Sequence, residues 1–262
     1  MQRFLNCDTH VHSCRSFVGA PNMTLENISA QAEALGIDVV AITDHLMKPE
    51  DLDDLRVARD MISRFQKEEK RARLLFGVEV CEVGSDGATL LTKAIAEELG
   101  FEVIIGGVHE THMLQGASLL DMAYRQHRHH LMMMENPLID ILVHPWWLDA
   151  EEFEKLGIAW PADMSFIPEE LTAALGRASR QTGTYIEIST MSGLCNRGVS
   201  AQFREDYLDY YRVLNREGAL FAIGTDTHEL SEMETFSTAV SFMRDIGIDE
   251  DRLWQPGKNI TR

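Results

Sequence analysis

Seven short apolar runs punctuate the chain, at residues 4–7, 38–42, 73–78, 102–107, 139–143, 184–188 and 219–224. They are rich in Val, Ile, Leu and Phe, and most show no polar–apolar alternation. That pattern predicts parallel strands covered on both faces. The longer stretches between them are amphipathic and predict helices over 24–35, 50–71, 88–99, 118–135, 168–182, 201–217 and 231–246. Thr24 stands where a helix wants an N-cap, and Pro168 where it tolerates proline. Gly36, Gly100, Gly183, Gly218 and Gly247 follow helices, where the chain turns through left-handed geometry. The repeated strand–helix–Gly–strand order predicts an α/β fold with a parallel sheet. Residues 146–167, acidic and containing Pro and Trp, fit no such unit and read as a long loop or lid. With no repeat of fixed period and no linker-like segment, residues 1–262 read as one domain.

Composition narrows the class. The chain has 262 residues, of which 45% are hydrophobic and 25% charged, the proportions of a globular protein rather than a disordered one. The formal net charge is −18, so nucleic acid is not expected as a partner, because phosphates want a basic face. The four cysteines form no CxxC pair, and the N-terminus shows no signal-peptide pattern, so a cytoplasmic setting and no membrane association are expected. Cys7 reads as core. Cys14 and Cys195 fall on predicted loops without a basic partner in sequence.

The ionisable residues collect at the ends of the apolar runs. Asp8-Thr9-His10-Val11-His12 follows the first run and Thr43-Asp44-His45 the second. The third leads into Glu79, the fourth into His109-Glu110 and the fifth into His144-Pro145. The sixth contains Glu187, and the seventh leads to Thr225-Asp226-Thr227-His228. In a closed parallel barrel the C-terminal strand ends share one face, where side chains from different strands converge. A single His at a strand end is commonly a hydrogen-bonded structural residue. Repetition at seven strand ends points instead to a cation, and imidazole with carboxylate is the donor set of Zn, Fe or Mn.

The segments DTHVH, ITDH, GVE, GVH, VHP and GTDTH, in this order from Asp8 to His228, resemble the PHP (polymerase and histidinol phosphatase) family. The resemblance implies a distorted (β/α)7 barrel, TIM-barrel-like, and a metal-dependent phosphoesterase with two or three divalent ions. It implies ligands at His10, His12, His45, Glu79, His109, His144, Asp226 and His228, with Glu79 bridging two ions. One departure stands out. The family pattern has a further His or Asp soon after the HxH pair, whereas Ser13 to Ala20 contains neither. An ion shared by His45 and His228 is thus short of a protein ligand, so a third site of lower occupancy is expected.

His112 is a proton donor, an extra ligand or a loop residue. His127, His129 and His130 read as a solvated helix face. Asp8 and Asp44 either orient imidazoles by accepting a ring N–H or bond backbone in a turn, and Glu187 reads as supporting the ligands rather than joining them. Arg15 and Arg197 are the candidate phosphate cations, since a guanidinium suits bidentate phosphate binding. Trp146 and Trp147 form either an apolar substrate wall or a buried loop anchor. The expected activity is hydrolysis of a small phosphate ester, histidinol-phosphate-like or nucleotide-like, by a metal-activated water. The rival readings are an amidohydrolase-type hydrolase of a C–N or C–O bond and a non-catalytic metal-binding module.

Overall fold

The computed structural model describes residues 6–68, 72–82, 87–109, 116–148, 150–195 and 198–257. Eight parallel strands make one sheet: β1 (Cys7–Val11), β2 (Val39–Ile42), β3 (His45–Leu46), β4 (Arg73–Cys81), β5 (Val103–Gly107), β6 (Ile141–Leu142), β7 (Tyr185–Ser189) and β8 (Phe221–Gly224). Their order is β1-β2-β4-β5-β6-β7-β8, with β3 also beside β4. Because β2 and β3 both pair with β4, they act as one interrupted stave, and the sheet has seven staves. The first and last staves meet: His12 N donates to Thr227 O at 3.0 Å and Asp226 N to His10 O at 2.9 Å. These bonds bring the sheet nearly to closure as a TIM-like barrel.

Helices flank the sheet: α1 (Leu25–Leu35), α2 (Asp51–Glu68), α3 (Lys93–Leu99), α4 (Leu119–Glu135), α5 (Ala150–Leu156), α6 (Glu169–Thr182), α7 (Ala201–Arg216) and α8 (Phe236–Asp245). Local chemistry sets their ends. Thr24 Oγ1 accepts from Asn27 N, and Gly36 leaves α1 at φ 72°. Ser118 and Asp121 form a reciprocal capping box on α4. The expected loop over 146–167 contains α5, and Phe153 of that helix is buried. Burial of an apolar side chain folds a segment whose composition alone reads as loop.

Alternation along the strands sorts the core into two sides. Val39, Ala41, Leu75, Val103, Ile105, Ile141, Val143, Tyr185 and Ala222 pack together inside the barrel, with Trp254 beside them. Val40, Ile42, Leu74, Phe76, Val78, Val80, Ile104, Ile186 and Ile188 belong to the core shared with the helices. Strand β1 breaks its own alternation. Its pairing with β2 slips between Asp8 and Val11, so that Cys7 lies with the inner cluster while Val11 packs with the outer one. In a regular strand residues 7 and 11 would share a face. The bulge reverses the parity and turns His10 and His12, on either side of Val11, toward the barrel axis. The first strand was expected at residues 4–7. Residues 4 and 5 lie outside the described residues, and the strand runs to Val11, so His10 sits within it rather than after it.

Candidate metal centre and active site

Side chains from seven strand ends converge at one mouth of the barrel around Glu79. Its carboxylate is 1% exposed. Oε2 lies 3.3 Å from His10 Nε2, 3.3 Å from His12 Nε2 and 3.0 Å from His45 Nε2. Oε1 lies 3.1 Å from His109 Nε2 and 3.0 Å from His144 Nε2. The two oxygens of one carboxylate thus face two separate groups of imidazoles. Across from Glu79, Asp226 Oδ1 lies 3.4 Å from His10 Nε2, 3.5 Å from His12 Nε2 and 3.8 Å from His228 Nε2.

The donor chemistry fits bound cations. His10 Nδ1 donates to Glu187 Oε1 at 2.8 Å, which leaves the Nε2 lone pair of a neutral ring pointing at Glu79 and Asp226. That nitrogen also lies 3.1 Å from His12 Nε2. Ring nitrogens this close to carboxylate oxygens need either a proton or a metal cation between them, and so many donors converging on two carboxylates suit a metal. Nitrogen and oxygen ligands about 2.1 Å from one ion lie about 3.4 Å from each other in a tetrahedral site. Among the described residues, four sets of donors are close enough to hold an ion: His10, His12 and Glu79; Glu79, His109 and His144; His12, Asp226 and His228; and His45, Cys81 and His109. No set among the described residues contains both His45 and His228. Those rings lie against His12, stacked at centroid distances of 4.5 Å and 4.7 Å.

Electrostatics follow from the crowding. Burial alone would raise the Glu79 pKa, but the imidazoles of His45, His10 and His109 overcome it and hold the carboxyl well below the ordinary range. Asp226 is likewise held down, against burial, by His10 and His12. Burial lowers His45 and His228, and the neighbouring carboxylates do not fully compensate.

The backbone is shaped around the cluster. His144 and Asp226 both have positive φ, 29° and 57°, conformations that cost energy for residues other than Gly. Gly107 leaves room for the rings: a Cβ there would lie 2.6 Å from His109 Cε1 and 2.7 Å from His144 Cε1. At Gly224 a Cβ would lie 1.9 Å from Glu187 Oε1.

The other candidates fall in several places. Glu187 supports two ligand residues, accepting from His10 Nδ1 and, through Oε2, from His144 N at 2.8 Å. Asp44 accepts from Ser13 N and Ser13 Oγ, each at 2.7 Å, and so fixes the turn after the HxH pair rather than orienting an imidazole. Asp8 does the same for the last stave, accepting from Thr225 N at 3.0 Å and Thr225 Oγ1 at 2.7 Å. Arg15 places Nη2 2.5 Å from Asp54 Oδ1, with both side chains largely exposed. His112 and Arg197 lie outside the described residues. The two tryptophans separate: Trp146 is buried against His127 and His130, whereas half-buried Trp147 lies 5.8 Å from His109 and 6.4 Å from His144, ring to ring.

One expectation is corrected. His127, His129 and His130 are not a solvated face but are buried on α4. His129 Nδ1 pairs with Glu82 Oε1, at the end of β4. A run of three polar residues on one helix reads as surface until the tertiary fold supplies a carboxylate and an indole for them. Glu187 supports the ligands as expected, whereas Cys81, close to His45 and His109, is the residue beside the cluster that no motif singled out. Its signal is strand parity, since Cys81 shares the inward side of β4 with Glu79.

Residues 8–157 match the family model of the PHP domain. The chain is 25% identical over 244 residues to a protein of Thermoanaerobacter pseudethanolicus described as a probable phosphatase, covering 93% of this chain and 87% of that one. A probable phosphatase of Syntrophotalea carbinolica is 26% identical over 256 residues, covering 94% and 90%. In fold, the chain is similar to histidinol phosphate phosphatase of Lactococcus lactis subsp. lactis, solved with zinc, L-histidinol and phosphate. The TM-score is 0.59 at 16% identity, covering 93% of this chain and 94% of that one. With more than half of its length matched by that model, and its histidines and carboxylates gathered at one barrel mouth, the chain belongs to the PHP domain family.

Proposed function

We propose that this protein is a metal-dependent phosphoesterase that hydrolyses a small phosphate ester. The observation that carries this reading is the placement of Glu79, with Oε2 toward His10, His12 and His45 and Oε1 toward His109 and His144. In that position its carboxylate would be shared by two ions, one on each oxygen. His10, His12 and Asp226 would hold one of them, and His109 and His144 the other. Divalent ions held there supply Lewis acidity and lower the pKa of a bound water toward neutrality.

The chain's own residues do the rest. Glu187 holds His10 in the tautomer that presents Nε2 inward and fixes the backbone at His144. Asp44 and Asp8 tie down the loops that follow β1 and β8. Trp147 offers an apolar edge beside His109 and His144 for the organic part of a substrate. Arg197 is the proposed cation for the phosphoryl group; Arg15 can serve only by leaving Asp54. His112 is the proposed proton donor to the leaving oxygen.

The relatives named probable phosphatases support phosphate esters as the substrate class, and the ligands of the Lactococcus protein make histidinol phosphate the first ester to try. No helix among the described residues is long and apolar enough to cross a membrane. A cytoplasmic enzyme, folded as one unit and acting on a free small molecule, is the consistent reading.

The test is a phosphate-release screen over small monoesters, run beside amides and lactones, with Glu79→Gln as the control variant. The expected result is turnover of a phosphate ester by the wild type, with Glu79→Gln losing metal and turnover together. Hydrolysis of amides or lactones alone would favour the amidohydrolase-type reading. A Glu79→Gln protein that keeps all its metal and near-normal turnover would overturn the bridging role.

A further inference from the structure

The sequence leaves His45 short of partners for an ion, and the structure supplies one that no ligand motif contains. On β4, Val78 and Val80 pack with the outer core, so Glu79 and Cys81 share the opposite, inward side. Register places Cys81 between two ligand-bearing segments. His45 is paired with Glu79 across one edge of β4, and Gly107, two residues before His109, is paired with Cys81 across the other. The Cys81 Sγ, one ring nitrogen of His45 and one of His109 all lie within 4.8 Å of one another.

Two further observations separate Cys81 from an ordinary core cysteine. It is 1% exposed, yet it joins none of the apolar clusters formed by the described residues. Cys7, by contrast, packs in the inner cluster among Val39, Leu75 and Trp254. His109 also has a nitrogen to spare. While Nε2 faces Glu79, its Nδ1 is buried without a hydrogen-bond partner. An ion about 2.3 Å from sulfur and about 2.1 Å from each nitrogen holds such donors roughly 3.5 Å apart, so side chains within 4.8 Å of one another draw together to bind it.

We propose that Cys81 is a thiolate ligand to an ion held with His45 and His109, beside the ions bridged by Glu79. Coordination replaces the thiol S–H and the His109 Nδ1–H with bonds to the metal, leaves His109 an imidazolate shared between two ions, and releases two protons to solvent. A thiolate favours Zn, Co or Fe over Mn or Mg at this position. This third position then belongs to His45 with Cys81, and not to His45 with His228. The inference rests on the metal-centre reading above, but not on the identity of the substrate.

The test is spectroscopic. Protein stripped with chelator is titrated with Co2+, and thiolate-to-cobalt charge transfer is followed in the near ultraviolet. The expected result is a charge-transfer band in the wild type that is abolished in Cys81→Ser. A variant carrying Cys7→Ser, Cys14→Ser and Cys195→Ser together, with Cys81 as its sole thiol, retains the band, so the assignment stands even if Cys81→Ser folds poorly. Cobalt bound with ligand-field bands but no charge-transfer band overturns the proposal, as does a band that persists in Cys81→Ser. An intact Cys81-dependent band in a protein that releases no phosphate from any ester would sink the phosphoesterase reading and uphold this one.

Discussion

Glu187 Oε1 accepts a hydrogen bond from His10 Nδ1 at 2.8 Å, in a contact from which water is excluded on both sides. The bond decides which nitrogen of His10 carries the proton, and therefore which one can hold a cation. The second oxygen of Glu187 is committed to His144 N. One carboxylate that is not itself a proposed ligand thus orients one member of each of the two imidazole groups facing Glu79.

Glu187→Gln keeps the shape and removes one acceptor. Its amide nitrogen must then face either His10 Nδ1–H or His144 N–H, both donors. Metal affinity is expected to fall about 10–100-fold, the usual effect of losing such a support, while the fold persists. Competition against a chromophoric chelator measures this directly. Unchanged affinity would show that His10 is held by packing alone.

Removing the ions should act on stability as well as turnover. A ligand that binds only the folded chain stabilises it by about 2.7 kcal/mol at one hundred times its dissociation constant. For a chain of this size that corresponds to a fall in Tm of roughly 5–10 °C on chelation, reversed by adding Zn2+. Hydrolysis should stop and recover in parallel. Acid should mimic the chelator, because protons compete with the metal for the imidazole nitrogens. A protein whose Tm and phosphate release ignore the chelator would refute the metal-dependent mechanism.

His127 lies away from the ligand cluster but is 8% exposed, its ring nearly parallel to Trp146 at 6.4 Å. Trp146 itself has φ 67°, so its position depends on its surroundings. His127→Ala is expected to cost about 1–3 kcal/mol in chemical denaturation, through lost packing, with metal content unchanged. Burial also lowers the His127 pKa. The unfolded chain therefore binds this proton more readily, and the wild type loses stability as pH falls below about 6.5. The variant lacks that part of the acid sensitivity, so the gap between the two proteins should narrow in acid. A gap that is constant with pH would show that His127 keeps its ordinary pKa.

The strands, helices and donor residues of this protein are written locally. Runs such as Val39–Ile42 can only be buried strands, and Gly36 or Gly183 after an amphipathic stretch can only end a helix cheaply. The placement of His, Asp and Glu at successive strand ends is also a local fact, and parallel topology turns it into convergence at one mouth. What the local pattern leaves open is where each side chain is aimed and what meets it. The bulge between Asp8 and Val11 falls where β1 pairs with both β2 and the segment after β8. Asp44 and Glu187 are both acids near strand ends, yet one closes a turn on Ser13 and the other grips His10. Cys81 stands beside His45 and His109 through the registers of three strands far apart in the chain. The polar run at His127, His129 and His130 is buried because Trp146 and Glu82 arrive from other segments. Sequence determines the periodicity of burial and the inventory of donors. Pairing between distant segments decides parity, partners and distance, because those are properties of contacts and not of residues.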